Sequence, residues 1–279
     1  MTIAANSMVI TVIIFDSHLH TPMYFFLVNL AIIELLYTTA ITPNTLGNLL
    51  NEDKRISFIG CFAQMFTFLI LGGSECILLG IMAYDRYVAI CQPLLYTAIM
   101  NRSVCFYMII ICWTIGFITS AVNTVLTAQL PYCHDRLIRH YFCEVPPLLK
   151  MSCKNTYINQ LMVFFFGGSV LVGSFILTVI SYIFVIRAVI KIPGTSGKKK
   201  TFSTCTSHLL VVSIFFGTGI LTYLRPSSQS FPNDHIFSVV YAVMTPLINP
   251  LVYSFRNKDV QRSLYKIVIC PYHLLWLIL

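Results

Sequence analysis

From Ile56 to Tyr84 the chain carries one charged side chain, Glu75, in a run of about 29 residues, enough to cross a hydrocarbon core of roughly 30 Å with some tilt. This stretch therefore reads as a membrane-spanning helix. At about 100° per residue, Phe68, Glu75 and Arg86 fall within roughly 20° of one another. One face thus combines an apolar position, a mid-membrane acid and a basic residue at one end. An ionisable side chain at membrane depth is costly, so Glu75 is a functional position by default.

Comparable apolar runs cover 1–15, 22–50, 104–130, 157–187, 201–224 and 235–255, with the central span taken as 56–87. The fold class expected is an all-α membrane protein, a seven-transmembrane helix bundle in a single domain over 1–266. The first run is too short to cross comfortably, so the first helix is expected to be incomplete. Composition agrees: 57% of the 279 residues are hydrophobic and 10% charged, and mean hydropathy is +0.80, whereas soluble domains carry about 25% charge. The net charge of +8 would suit nucleic acid only on a soluble basic domain, and none is present. The partner implied is the lipid bilayer, not nucleic acid. Arg86, Arg102, Arg187, Lys191, Lys198, Lys199, Lys200, Arg256, Lys258, Arg262 and Lys266 fall on the side reached by the chain's end, which puts the start outside and the end in the cytoplasm. Met1 is followed directly by apolar residues without a basic leader, so no secretory signal peptide is read.

After the last span, 256–266 reads as a short amphipathic helix on the cytoplasmic surface, and 267–279 as an apolar tail too short to cross. Lys198, Lys199 and Lys200 suit an anchor for the sixth span at the anionic inner leaflet. Cys270 is placed where palmitoylation occurs. Enzyme chemistry finds no footing: GxSxG, HExxH and P-loop motifs are absent, and His18, His20, His208 and Cys205 form no metal-ligand spacing. A small-solute membrane transporter is the alternative from another class, but it predicts an inverted repeat with paired broken helices, and neither is found.

Five strings go further: DSHLHTPMYFFLVNL from Asp16, MAYDRYVAIC from Met82, SYIFVIRAVIKI from Ser181, KKKTFSTCTSHLLVVSIFFGT from Lys198 and PLINPLVYSFRNKDV from Pro246. Together they resemble the olfactory (odorant) receptor family of rhodopsin-like G-protein-coupled receptors, over about Asn6 to Lys266. The resemblance implies a receptor for a small volatile odorant that activates a heterotrimeric G protein of the stimulatory, olfactory class and raises cyclic AMP from the plasma membrane.

The same resemblance assigns roles. Asp85, Arg86 and Tyr87, with Asn249, Pro250 and Tyr253, would form the G-protein switch. An arginine keeps its charge whether paired with Asp85 or released, and Pro250 frees a backbone carbonyl and permits a kink. Of the ten cysteines, four face outside and allow three pairings; the family pattern pairs Cys61 with Cys143 and Cys133 with Cys153. Glu34 and Glu75, with Asn249 nearby, would form an ion or proton site, since two carboxylates facing one cavity either share a proton or hold a cation such as sodium. No other cofactor is expected. Ligand contacts would come from Phe68, Leu69, Gly72, Gly73, Phe216, Ile220 and Tyr223. Relatives that bind amines carry aspartate where Phe68 stands, so a mostly neutral ligand is expected in this apolar pocket.

Asn6 matches an asparagine that the family keeps mid-helix, so about half a span and the usual glycosylated leader are expected to be missing. The only remaining Asn-x-Ser/Thr, at Asn101, falls in a cytoplasmic loop. The expectation is a truncated or non-functional receptor form retained in the endoplasmic reticulum.

Overall fold

A computed structural model describes residues 1–50, 55–133, 138, 140–191, 195–223, 238 and 240–269; within these, the side chains of 49, 195–204, 253–256 and 267–269 lie outside the description. The expected roles of Tyr253, Lys198, Lys199, Lys200 and Cys270, and of the tail beyond 269, fall on residues or side chains outside it.

The described residues form a helical membrane bundle. In chain order it comprises α1 (Thr2–Phe15), α2 (Pro22–Leu50), α3 (Phe58–Cys91), α4 (Tyr96–Ile99), α5 (Arg102–Ala128), α6 (Val145–Lys150), α7 (Tyr157–Lys191), α8 (Thr195–Tyr223), α9 (Thr245–Arg256) and α10 (Lys258–Ile269). A π-helical segment, Val163–Gly168, interrupts α7, and another, Val240–Met244, leads into α9. Among the described residues, five helices are long and apolar enough to cross a membrane: α2 (over Pro22–Asn48), α3, α5, α7 and the Cys205–Tyr223 part of α8. Thr2–Phe15 and Val240–Val252 are shorter apolar helices.

Local chemistry sets the helix starts. The Ser57 side chain accepts from the Gly60 amide at 3.0 Å, which satisfies one of the free donors of α3. Asn101 does the same for Val104 at 3.0 Å at the head of α5. Pro22 opens α2 where its missing N–H costs nothing.

The long helix α3 is the axis. It packs on α2, α5, α7 and α8, while α1 closes the ring by contacting α2, α9 and α10. Gly73 and Gly116 let α3 and α5 approach: a Cβ on Gly73 would lie 3.3 Å from the Gly116 Cα. Side chains outside the bundle remain apolar, as on α7, where Phe164, Phe165 and Ile176 are exposed. That pattern suits lipid on the outside, not water.

One end of the bundle carries both disulfides, Cys61–Cys143 and Cys133–Cys153, with Cα separations of 5.4 and 5.7 Å. The expected pairings are those formed. At the opposite end, α10 docks through Val260 and Ser263, with Arg262 and Lys266 exposed. It starts two residues later than expected and runs to Ile269, because the Asn257 side chain accepts from the Asp259 amide at 2.9 Å and so begins a new helix there.

Ser263 also donates to Asp16 Oδ2 at 2.6 Å, tying α10 to the turn after α1. That hydrogen bond is the main reason the Asp16 carboxyl is held below the ordinary carboxylate range. A lowered carboxyl stabilises the fold above its ordinary value, about 3.9, and the contribution is lost as pH falls through the lower folded value. Ser263→Ala should therefore cost on the order of 1 kcal/mol at pH 7, with the gap from the parent protein closing in acid. Thermal unfolding of both proteins from pH 7 to pH 3 checks this, and a pH-independent gap would contradict it.

Candidate functional site

Three polar clusters lie along α3, near its two ends and at its middle. In the middle, Asn249 of α9 donates through Nδ2 to Glu34 Oε1 of α2 and, at 3.5 Å, to Glu75 Oε1 of α3. All three side chains are 1% exposed. Glu34 and Glu75 thus share one amide donor. The other amide atom, Asn249 Oδ1, is buried without a hydrogen-bond partner among the described residues. Two carboxylates and an orphaned carbonyl oxygen form an all-oxygen set, the donor chemistry of a hard cation. No group of three or more His, Cys, Asp or Glu side chains suited to a metal occurs among the described residues. Asn6 of α1 supports the cluster from the side, donating to the Pro246 carbonyl at 3.3 Å, one turn before Asn249.

At the end opposite the disulfides, Arg86 Nη2 lies 3.0 Å from Asp85 Oδ2. The Asp85 side chain is 1% exposed and that of Arg86 15%. The second carboxylate oxygen, Asp85 Oδ1, accepts from Tyr96 Oη of α4 at 2.8 Å. Burial, reinforced by the Asp85 charge, pushes the Tyr96 phenol well up, so it remains a donor. The third residue of the triplet, Tyr87, accepts from Gln92 at 3.3 Å and packs its ring on Phe184 of α7. Nearby, Tyr182 of α7 meets His208 Nδ1 of α8 at 2.8 Å, joining the two helices on the same side. Pro250 lies inside α9 next to Asn249.

Towards the disulfide end, Phe68 meets Tyr37, Tyr241 and Phe142 with ring centroids 5.5, 5.8 and 4.8 Å apart. Tyr241, carried by the π-helical segment before α9, is the hub: it also contacts Phe215 at 5.2 Å and Tyr223 at 6.5 Å. Phe216 joins through Phe215, at 5.5 Å. Leu69 and Ile220 pack against the same core. Gly72 makes room for a hydrogen bond: a Cβ there would collide with the hydroxyls of Tyr241 and Tyr37, which lie 3.1 Å from each other. Of the anticipated ligand residues, Phe68, Leu69, Gly72, Phe216, Ile220 and Tyr223 are gathered in one region, around a tyrosine that sequence reasoning did not single out, whereas Gly73 faces Gly116 of α5.

The hydroxyl of Tyr223 is already engaged. It donates to Glu144 Oε1 at 2.6 Å, while Ser238 donates to Glu144 Oε2 at 3.0 Å and His140 Nε2 lies 3.5 Å from the same oxygen. Glu144 lies in the connection between α5 and α6, yet it is 1% exposed. Gln64 fixes the loop beneath: it accepts from the Cys143 amide at 3.0 Å and donates to the Ala40 carbonyl at 3.1 Å. Signals for these residues existed. Glu144 directly follows a disulfide cysteine, and Gln64 lies one turn after Cys61. Tyr96, by contrast, carries no local mark of its partner.

Comparison with known proteins follows the same lines. A family model described as olfactory receptor matches residues 1–270. Olfactory receptor 8H1 of Homo sapiens is 48% identical over 269 residues, covering 96% of this chain and 86% of that protein. Olfactory receptor-like protein COR5 of Gallus gallus is 46% identical over 96% of this chain and 86% of its own length. Olfactory receptor 5AP2 of Mus musculus is 44% identical, with 96% and 85% covered.

Proposed function

This chain belongs to the olfactory receptor family, a family of receptors and not of enzymes, and we propose that it binds small, mostly neutral volatile molecules at the plasma membrane and activates a stimulatory G protein that raises cyclic AMP. The disulfides then face outside, where oxidising conditions preserve them, and the Asp85–Arg86 end faces the cytoplasm.

The observation that carries this reading is the Arg86–Asp85 pair at 3.0 Å, closed and locked by Tyr96. A buried ion pair at the cytoplasmic rim is an element with two arrangements: arginine bound to its own aspartate, or released to a partner helix when neighbouring helices separate. A ligand that packs around Tyr241 touches α2, α3, α8 and the segment before α9 at once, so it is placed to bias that choice. The aromatic, mostly uncharged surroundings of Phe68 favour a neutral molecule with one or two polar groups.

Cells bearing the protein together with a stimulatory olfactory-type G protein, challenged with a panel of volatiles, should show cyclic-AMP rises that vanish without that G protein. Absence of any response, together with uptake of a labelled solute, would overturn the reading in favour of a transporter.

Sodium is the proposed ion for Glu34, Glu75 and Asn249, held in the resting arrangement and supplying the positive charge two buried carboxylates require. Asn249 positions both acids through its amide, and its carbonyl oxygen is buried without a hydrogen-bond partner among the described residues. Glu34→Gln with Glu75→Gln should raise basal cyclic AMP and abolish its dependence on sodium concentration. If basal activity and its sodium dependence both match the parent receptor, the ion site is wrong.

A further inference from the structure

A cavity of ≈ 970 Å³ lies between the turn joining α1 to α2, the short helix α4 and the first turns of α2 and α5, far from the aromatic cluster. Of the three polar clusters it touches only the one at Asp85, through Tyr96. Its rim carries His20, Thr21, Arg102 and Ser103, all exposed, and its walls include Phe25 and Phe106, which are 38% and 58% exposed. No acidic side chain lines it.

The order of these residues along their helices sets the depth of each. Phe25 lies about one turn inward from Thr21, and Phe106 about one turn inward from Arg102, roughly 6 Å along each axis. The rim thus offers donors and a positive charge at the cytoplasmic surface, and the walls turn apolar where the hydrocarbon begins. Among the described residues Arg102 also has no ion-pair partner: the pairs are Asp16–His18, Asp85–Arg86, Glu144–His140 and Asp259–Arg262.

The geometry points to a binding site for an anionic glycerophospholipid of the inner leaflet, with Arg102 and Ser103 on the phosphate and the acyl chains along Phe25 and Phe106. A free anion would satisfy Arg102 and leave the apolar walls without an occupant. A neutral lipid would fill the walls and leave the guanidinium unpaired. An anionic phospholipid meets both requirements, and the guanidinium fork matches phosphate oxygens two at a time. The leaflet on this side is the anionic one, and each basic residue near it contributes about 1 kcal/mol of attraction. The bound lipid would brace α4, which supplies Tyr96 to Asp85, against α2 and α5. This assignment rests on the cytoplasmic placement of the rim, not on the odorant reading.

The test uses the full chain reconstituted in phosphatidylcholine nanodiscs containing a minor fraction of phosphatidylserine. The quantity read is phosphatidylserine co-purifying per receptor, relative to phosphatidylcholine, after extraction into detergent. The parent protein should be enriched in phosphatidylserine. Arg102→Gln should lower the enrichment about fivefold, the equivalent of about 1 kcal/mol, and Arg102→Lys should retain most of it. Lys266→Gln, which removes an exposed cation outside the cavity, should leave it unchanged. Equal enrichment in Arg102→Gln and the parent protein would overturn the site, as would an equal loss in Lys266→Gln. Full displacement by soluble glycerophosphoserine would overturn the lipid and leave a bare phosphate-ester site.

Discussion

Arg86→Ala is expected to reduce odorant-evoked cyclic AMP to background, a loss of at least about tenfold, while the receptor still folds. The side chain is 15% exposed and its carboxylate partner keeps a second hydrogen bond from Tyr96, so the fold loses one arm of a two-armed anchor. Breaking a fully buried pair costs about 3–5 kcal/mol, and the retained Tyr96 donor and the open side of Arg86 place the cost here below that range. Signalling is different, because Arg86 is the group proposed to meet the G protein. Asp85→Asn should have the opposite sign. It frees Arg86 from its resting partner and should raise basal cyclic AMP, with Tyr96→Phe giving a smaller rise. Surface amounts measured on an epitope tag separate signalling from folding. Undiminished signalling in Arg86→Ala, or a silent Asp85→Asn with normal surface amounts, would remove the switch.

Glu144→Ala should be the most damaging change at the disulfide end. The carboxylate is the acceptor for Tyr223 and Ser238 and faces His140, so its loss strands polar groups in a buried position. Each stranded group costs about 1–3 kcal/mol, and the sum expected is about 2–4 kcal/mol after some relaxation. Function should fall with it, because Glu144 ties the loop between α5 and α7 to the end of α8 and to Ser238. Tyr223→Phe removes one donor and leaves the acid with another, so it should cost only about 1 kcal/mol. Because the two residues share one bond, their double mutant should be less damaging than the sum of the singles. Thermal unfolding in detergent and odorant potency are the two readouts. Additive effects, or an unchanged melting temperature in Glu144→Ala, would show that the loop is held by its disulfide alone.

The division between local and tertiary information can be followed residue by residue. Helix identity and membrane depth were legible because they depend on runs of one chemical character: a single acid between Ile56 and Tyr84 implies a spanning helix whatever surrounds it. Periodicity likewise put Phe68 and Glu75 on one face, and both are 1% exposed. The disulfide pairing came from the resemblance, since four cysteines by themselves allow three pairings.

Hydrogen-bond partnership was not legible in the same way. Tyr223 meets Glu144 across 79 residues, Ser238 meets it across 94 and Tyr37 meets Tyr241 across 204. Glu144 reads locally as one more solvated charge in a polar loop. Only the disulfide to α3, the Gln64 clamp and the converging ends of α8 and the Ser238 segment take it out of solvent. Gly72 reads as a packing or ligand glycine and proves to be the space in which two tyrosine hydroxyls meet. Hydrophobic runs and periodicity are properties of one segment and its solvent, so the sequence determined which segments enter the membrane and which face turns inward. A polar side chain at that depth must find its partner on another helix, and the choice among candidates depends on crossing angles and register that exist only once the bundle has closed.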